Sequence, residues 1–532
     1  MRFRLLIILG TLSACWSQAG TISVPADGNL QEALGKAQPG DVIQLAAGAI
    51  FAGPFQLPVK DGDDWITIRT DAPDSALPAA GERLKPSHSE AMPKLVAAKD
   101  WVVTAEPRAH HYRFLGIEFH PAPGTFLHNL VLAGDGSQTA EEMLPHDIVF
   151  DRCYFHGDPK KGARRGIALN GREVTITGSY FSDFKEVGAQ SQAIGGWNGP
   201  GPFHITNNYL EAAGENVLFG GSDPAIPALV PSDIEIRQNH FYKPLSWRRG
   251  DPSYEGTHWA VANLLELKSA RRVRVEGNIF ENNWADVQSG FAIVFTVRNQ
   301  DGGAPWSVIE DVSFLNNIVR HTTAGINLLG RDDVHDSKQA RGIVVRNNLF
   351  YDLGGKKWGG NGRLFQILTA TADVVIDHNT ALQTGHIISA DGDPHTGFQY
   401  INNIALHNEY GMHGSGAAPG QDTLRKYFPD AVVRANVVVG GKKFDYPKGN
   451  YLPVSLDEAR FLDRAADNYR LADKSPYKKA GTDGKDIGVN MDLLEAAIAG
   501  RGAGAAAERA VAKKRPEQDE GQNADRNPPR QP

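Results

Sequence analysis

Val273-Arg-Val-Glu-Gly-Asn278-Ile-Phe280 decides the fold, because its pattern, apolar-x-apolar-x-x-Asn-x-apolar, recurs along most of the chain. The same text returns as Phe203-His-Ile-Thr-Asn-Asn208-Tyr-Leu210, Ile234-Glu-Ile-Arg-Gln-Asn239-His-Phe241, Val312-Ser-Phe-Leu-Asn-Asn317-Ile-Val319, Ile343-Val-Val-Arg-Asn-Asn348-Leu-Phe350 and Phe398-Gln-Tyr-Ile-Asn-Asn403-Ile-Ala405. Looser copies place Cys153, Ser179, Asn379 and Asn436 in the asparagine column. Alternation at period two is the signature of a strand, and self-similarity every few tens of residues is the signature of a repeat. An asparagine at a tight turn bonds the backbone with its amide and tolerates the left-handed conformation, so stacked copies form a ladder. Steps along the column run from 24 residues (379 to 403) to 39 residues (239 to 278), so the shortest approximate a bare coil and the longest carry loops. The expectation is an all-β parallel β-helix solenoid of about ten coils.

With 532 residues, 41% hydrophobic content and a formal charge of −7, the chain can bury a large core and has no charge excess that calls for nucleic acid. Arg2 and Arg4 precede the short apolar run Leu5 to Leu12, an export signal too short to span a bilayer. Two processing sites compete: Ser17-Gln-Ala19 before Gly20 suits ordinary cleavage, and Leu12-Ser-Ala-Cys15 resembles a lipobox that would anchor the chain to a membrane through Cys15. The only other cysteine, Cys153, sits in the ladder column and reads as a small buried filler.

Asn29 is a sound N-cap with Glu32 three residues on, and Pro39-Gly40 ends the short helix that follows, a natural lid for the exposed first coil. This segment, with its Pro-Gly-Asp turn before the first strand, resembles the N-terminal cap of secreted right-handed parallel β-helix proteins of the pectate-lyase-like superfamily. Asp467 to Leu471 and Ala480 to Gly488 resemble the tail that closes many such helices. The division expected along the chain is a signal peptide over 1–19, an N-terminal cap and first coils over 20–125, the β-helix over 126–450 and a C-terminal cap over 451–498, the two caps being what the resemblance implies. Residues 499–532, rich in Ala, Gly, Lys, Glu and Pro without apolar periodicity, read as a disordered tail.

Alternation along the second strand of each coil points Leu265, Leu267, Ile293, Phe295, Ile326, Leu328, Phe365 and Ile367 inward. Asn170, Glu266, Lys268, Arg298, Asn327, Arg331 and Gln366 are then expected outside, as one continuous polar strip. Loop residues add expected walls: Arg248, His258 and Trp259 from the 243–263 loop, Trp306, and the 330–342 loop with Asp332, Asp333 and His335. Aromatic faces bind sugar C–H faces and guanidinium groups pair carboxylates, so an extended acidic polysaccharide is the expected partner, bound by a monomer.

Cleaving a uronate chain by β-elimination needs a base for the C5 proton and a cation for the carboxylate. Lys268 or His258 suits the first role, Arg298 or Arg331 the second. Glu266-Leu-Lys268-Ser269, followed by a rung, is similar to the Lys-Ser segment of alginate- and chondroitin-lyase β-helices, which implies Lys268 as base with Arg298 as its partner one coil on. Hydrolysis by paired acids is the alternative, with Asp332 and Asp333 or Glu215 and Glu266 as pairs; a non-enzymatic glycan-binding stalk is the other class. Calcium is a candidate cofactor, with oxygen clusters at Asp61-Gly-Asp63-Asp64, Asp332 to Asp336 and Asp391-Gly-Asp393. No cysteine and histidine spacing suggests zinc.

Overall fold

The structure is a computed structural model that describes residues 19–500; the export signal, Cys15 and nearly all of the expected tail lie outside the described residues. The coil around the opening stretch shows how the chain turns. Ala270–Glu276 lies in a first sheet, Ile279–Asn283 in a second and Phe291–Thr296 in a third, and Ile309–Leu315 returns to the first sheet beside Ala270–Glu276. Repetition builds parallel sheets of 14, 13 and 12 strands, an all-β right-handed parallel β-helix. The strand count exceeds ten because coils form from Thr21 onward, upstream of the asparagine column, where alternation alone encodes the rungs.

Val273, Val275, Phe280, Ile293 and Phe295 all point into one continuous apolar core. Stacking in register puts like on like: Phe119, Phe155 and Phe181 stack ring on ring with centroids 4.6 Å apart at each step. The helix Leu30–Lys36 joins this core through Leu30, Ala33 and Leu34, and Asn29 caps it by accepting from the Glu32 N–H at 3.1 Å.

The asparagine ladder forms as expected. Asn278 donates to the Ile236 carbonyl at 2.9 Å and to Asn317 Oδ1 at 3.0 Å, while its own Oδ1 accepts from the backbone and amide of Asn239 at 2.9 and 3.1 Å. The left-handed residue is not the ladder asparagine but the one before it, as at Asn207, Gly277, Asn316 and Asn347. That residue makes the turn and leaves the following amide free to point inward. Cys153 occupies its place as a buried filler, its thiol pushed up to about 12 by burial.

The segment after residue 450 does more than close one end. It runs back along the outside of the second sheet, where Tyr469, Val489, Met491 and Leu494 pack on Leu349 and Tyr351. Asn490 donates its N–H to Asn347 Oδ1 at 2.6 Å, and Gln238 bonds the Ala497 carbonyl at 3.4 Å. One flank of the solenoid is thereby covered.

Candidate functional site

The third sheet stays uncovered by that strap, and loops rise on both of its sides. Loops entering it span 243–264, 284–290 and 354–364; loops leaving it span 220–231, 297–308 and 330–340. The leaving loops are tied together. Asp223 accepts the Gly303 N–H at 2.7 Å, Trp306 donates its indole N–H to the Leu229 carbonyl at 2.9 Å, and Asn299 donates to the Asp336 carbonyl at 2.9 Å.

Lys268 and Arg298 come together on this face. They follow strands Leu265–Leu267 and Phe291–Thr296 of consecutive coils, and the Arg298 N–H donates to the Lys268 carbonyl at 2.9 Å. The Lys268 ammonium stands 3.9 Å from Glu266 Oε1 and is 18% exposed. Arg298 is 31% exposed and already engaged: it donates to Asp332 at 3.1 Å and to Asp333. Asp332 also accepts from the Asn299 and Val334 N–H groups. These bonds overcome its burial and hold its carboxyl below the usual range. It organises the loop, while Asp333 is exposed and can yield its place on Arg298.

Glu266 faces out of the core as expected yet is buried, covered by its neighbours. A polar network crosses four coils beneath it. Arg165 donates to Asn129 at 3.1 Å and to Gln192 at 2.9 Å, and Gln192 donates to Glu215 Oε2 at 2.8 Å. Glu215 is the neighbour of Glu266 on the preceding coil, and Asn263 donates to Glu266 at 3.2 Å. Burial first, then the neighbouring Glu215, push the Glu266 carboxyl up to about 7. Lys243 lies fully buried nearby with its ammonium on the carbonyls of Ala212, Ala213 and Gly214, and burial lowers its proton affinity. A signal for this network exists in the sequence: Asn129, Arg165, Gln192, Glu215 and Asn263 each stand two residues before an inward aliphatic. Only Glu215 was singled out.

Two acceptors of the network, Glu215 Oε1 and Asn263 Oδ1, are buried with no hydrogen-bond partner among the described residues. Orphaned oxygens beside a carboxyl pair fit a hard divalent cation such as Ca²⁺, which takes oxygen ligands. The oxygen clusters expected from the sequence fare differently. Asp332 serves its own loop, Asp391 accepts the Gly392 N–H within a turn, and Asp63 lies beside histidines.

The strip is not continuous. Glu266, Val294, Asn327 and Gln366 share one register column, but Val294 is buried with Phe291 and Ala324 in an apolar plug that divides it. Beyond the plug Gln366 donates to Asn327 at 3.1 Å and accepts from Arg363 at 2.7 Å. Asn170 is also not a surface group: it is buried and accepts the Trp197 and Asn198 N–H groups at 2.8 and 2.9 Å.

Of the expected walls, Trp259 is a correction. It is buried with Trp247 around the Lys185 ammonium, 5.2 and 5.3 Å from the two ring centroids; Asp183 pairs with that ammonium at 2.6 Å and the two aromatic faces enclose it. Arg248 lies over the Trp358 ring at 4.9 Å and donates to the Lys357 carbonyl, joining two entering loops. His258 pairs with Asp286 at 2.6 Å while staying half-exposed. Arg331 donates to the Ser337 carbonyl of its own loop at 3.5 Å.

No family model and no curated protein sequence matches the chain. Among solved structures it is similar to a PL6 family alginate lyase, AlyGC, at 13% identity and TM-score 0.47, covering 88% of this chain and 58% of that one. It is also similar to the alginate lyase from Paenibacillus sp. str. FPU-7 (14%, TM-score 0.33, covering 81% and 99%). A third is pectate lyase Pel9A (13%, TM-score 0.31, covering 89% and 96%). The chain thus spans 58% of the length of the first of these lyases.

Proposed function

We propose that the protein is a carbohydrate-active enzyme, a polysaccharide lyase that cleaves a uronate glycan by β-elimination at Lys268 and Arg298. The observation that supports this most is the convergence of these two cations on a loop-flanked sheet face beside a buried carboxyl pair with orphaned oxygens. Arg298 exchanges the exposed Asp333 for the substrate carboxylate, which acidifies the adjacent C5–H. Lys268, in its neutral form, takes the C5 proton. The C–H electron pair becomes the C4–C5 double bond as the C4–O bond breaks, and the new ammonium returns the proton to the leaving oxygen. A divalent cation bound by Glu215, Asn263 and Glu266 would add neutralising charge for the carboxylate. Asn327, Gln366, Arg331, Arg248 and His258 are proposed to contact further sugar units.

Geometry argues against the hydrolytic alternative. Glycosidase carboxyls stand about 5 Å or more apart and open to the sugar and a water, whereas Glu215 and Glu266 are both buried. The proposed substrate lies outside the cytoplasm, in keeping with the export signal read at the N-terminus, whether the mature chain is free or lipidated at Cys15.

The test is ultraviolet absorbance on alginate, pectate and chondroitin, with and without calcium. We expect the unsaturated uronate band on one of them, reduced about 10³-fold in Lys268→Ala, within the range for a lost acid–base group. Reducing ends without the band would establish hydrolysis instead, and neither signal would leave glycan binding as the function.

A further inference from the structure

The first sheet carries, in coil after coil, a left-handed residue near the start of its strand. It falls at His111, Asp147, Glu173, Asp233, Arg272 and Asp311. The register skips that residue, so His110 pairs with His146 and Tyr112 with Ile148, leaving His111 and Asp147 unpaired. In a regular strand neighbouring side chains point to opposite faces; the left-handed residue interrupts that alternation, and His110 and His111 are both half-buried ahead of the buried Tyr112. Later coils use these positions for ion pairs between coils, as in Arg272 with Asp233 at 2.7 Å and Arg341 with Glu310.

Two coils depart from that use and place imidazoles there. The rings of His110 and His146 stack at 4.8 Å, nearly parallel, and the Nδ1 atoms of His110 and His111 are 2.7 Å apart. Asp63, from the turn before Ile66–Thr70, lies with its carboxylate within 4.8 Å of the ligand atoms of His110 and His111, and the same spacing relates His111, His146 and Asp147. His111 belongs to both sets. Trp65 covers it edge-on at 5.2 Å, and His110 and His146 border a cleft of about 760 Å³. A second trio, Glu118, His120 and His156, has no such opening for a metal: Lys94 stands 3.3 Å from Glu118, and Ser89 donates to the same carboxylate.

We propose that His110, His111, His146, Asp147 and Asp63 form a binding site for zinc or a similar late first-row divalent metal that staples three successive N-terminal coils. Three imidazoles with carboxylates are the donors of Zn²⁺ and its neighbours, whereas Ca²⁺ and Mg²⁺ take oxygen. Two imidazole nitrogens at 2.7 Å must otherwise share a single proton, and a metal ion removes that constraint by accepting both lone pairs. The site is remote in the chain from Lys268 and independent of the proposed reaction.

The experiment strips the full-length protein with EDTA and titrates Zn²⁺ alone against a chromophoric chelator, following the thermal midpoint in parallel. We expect one tight equivalent and a rise in the midpoint. His111→Asn keeps the left-handed conformation, which asparagine tolerates, and is expected to weaken binding by at least about 100-fold, to abolish the rise and to leave the metal-free midpoint unchanged. Asp233→Asn, at the equivalent left-handed position of a later coil, is expected to bind zinc as the unmodified chain does. Should His111→Asn fold poorly, His146→Gln carries the same expectation. No stoichiometric zinc, or zinc bound equally by the folded variants, overturns the proposal.

Discussion

The asparagine ladder and the Glu215–Glu266 network are both columns of buried polar side chains stacked on successive coils, and they are completed differently. Along the ladder each amide finds a backbone carbonyl on one side and the next amide on the other, from Asn208 through Asn436. In the network the donors run out: Glu266 must hold a proton near neutral pH, and two oxygens have no partner among the described residues. A fully satisfied column rigidifies a fold, whereas an unsatisfied one is costly unless something else completes it. The contrast separates scaffold from site within one solenoid, where every coil has the same backbone.

Breaking the ladder has the largest expected effect. Asn278→Ala removes four hydrogen bonds at once and strands the Ile236 carbonyl and the Asn239 N–H. Denaturant unfolding is expected to show a loss of about 4 kcal/mol, from several buried groups at about 1–3 kcal/mol each. A loss below about 1 kcal/mol would mean that water completes the ladder readily and that the contrast does not hold.

The network is expected to respond to pH instead. The Glu266 carboxyl titrates near 7 when folded against an ordinary value of 4.5. Between those values the unfolded chain gives up its proton and the folded chain keeps it, so this group's contribution to stability is full below pH 4.5 and is lost as pH rises to about 7. The loss is at most about 3 kcal/mol. Glu266→Gln has no such slope, so its stability relative to the unmodified chain is expected to improve between pH 5 and pH 8. An unchanged difference across that range would show that Glu266 is ionised in the fold. Calcium sharpens the same point: if it completes the network, it should raise the thermal midpoint of the unmodified chain at pH 8 and not that of Glu215→Gln.

The smallest expected effect concerns the exposed partner of Arg298. Asp333→Asn should change stability by no more than about 1 kcal/mol, since the pair is solvent-screened. It should nonetheless lower the KM for an anionic glycan by freeing the guanidinium. A raised KM would assign Asp333 to substrate contact rather than to occupancy of the site.

Much of this was legible in the residues. Period-two alternation and the Asn column encode the parallel β-helix because both are local: a strand's inward side chains and a turn's amide are chosen within a few residues. The same alternation placed Glu266, Asn327 and Gln366 in one register column and Lys268 beside Arg298. Trp259 was misread because an aromatic in a long loop has the same text whether it meets a sugar or a lysine. Lys185, its partner, is far off in the sequence. The gap in the polar strip was missed for a similar reason, since Val294 is an ordinary strand residue until Phe291 and Ala324 close over it.

The sequence by itself therefore determined the strand rhythm, the ladder and the outward face of the third sheet, all set by neighbours along the chain. Only the tertiary structure decided which outward groups are buried, that Glu215 meets Glu266, that Arg298 is held by Asp332 and Asp333, and that three histidines from two coils face one another. Those outcomes depend on loop lengths and coil-to-coil register, and they join residues whose separation in the chain carries no trace of their contact.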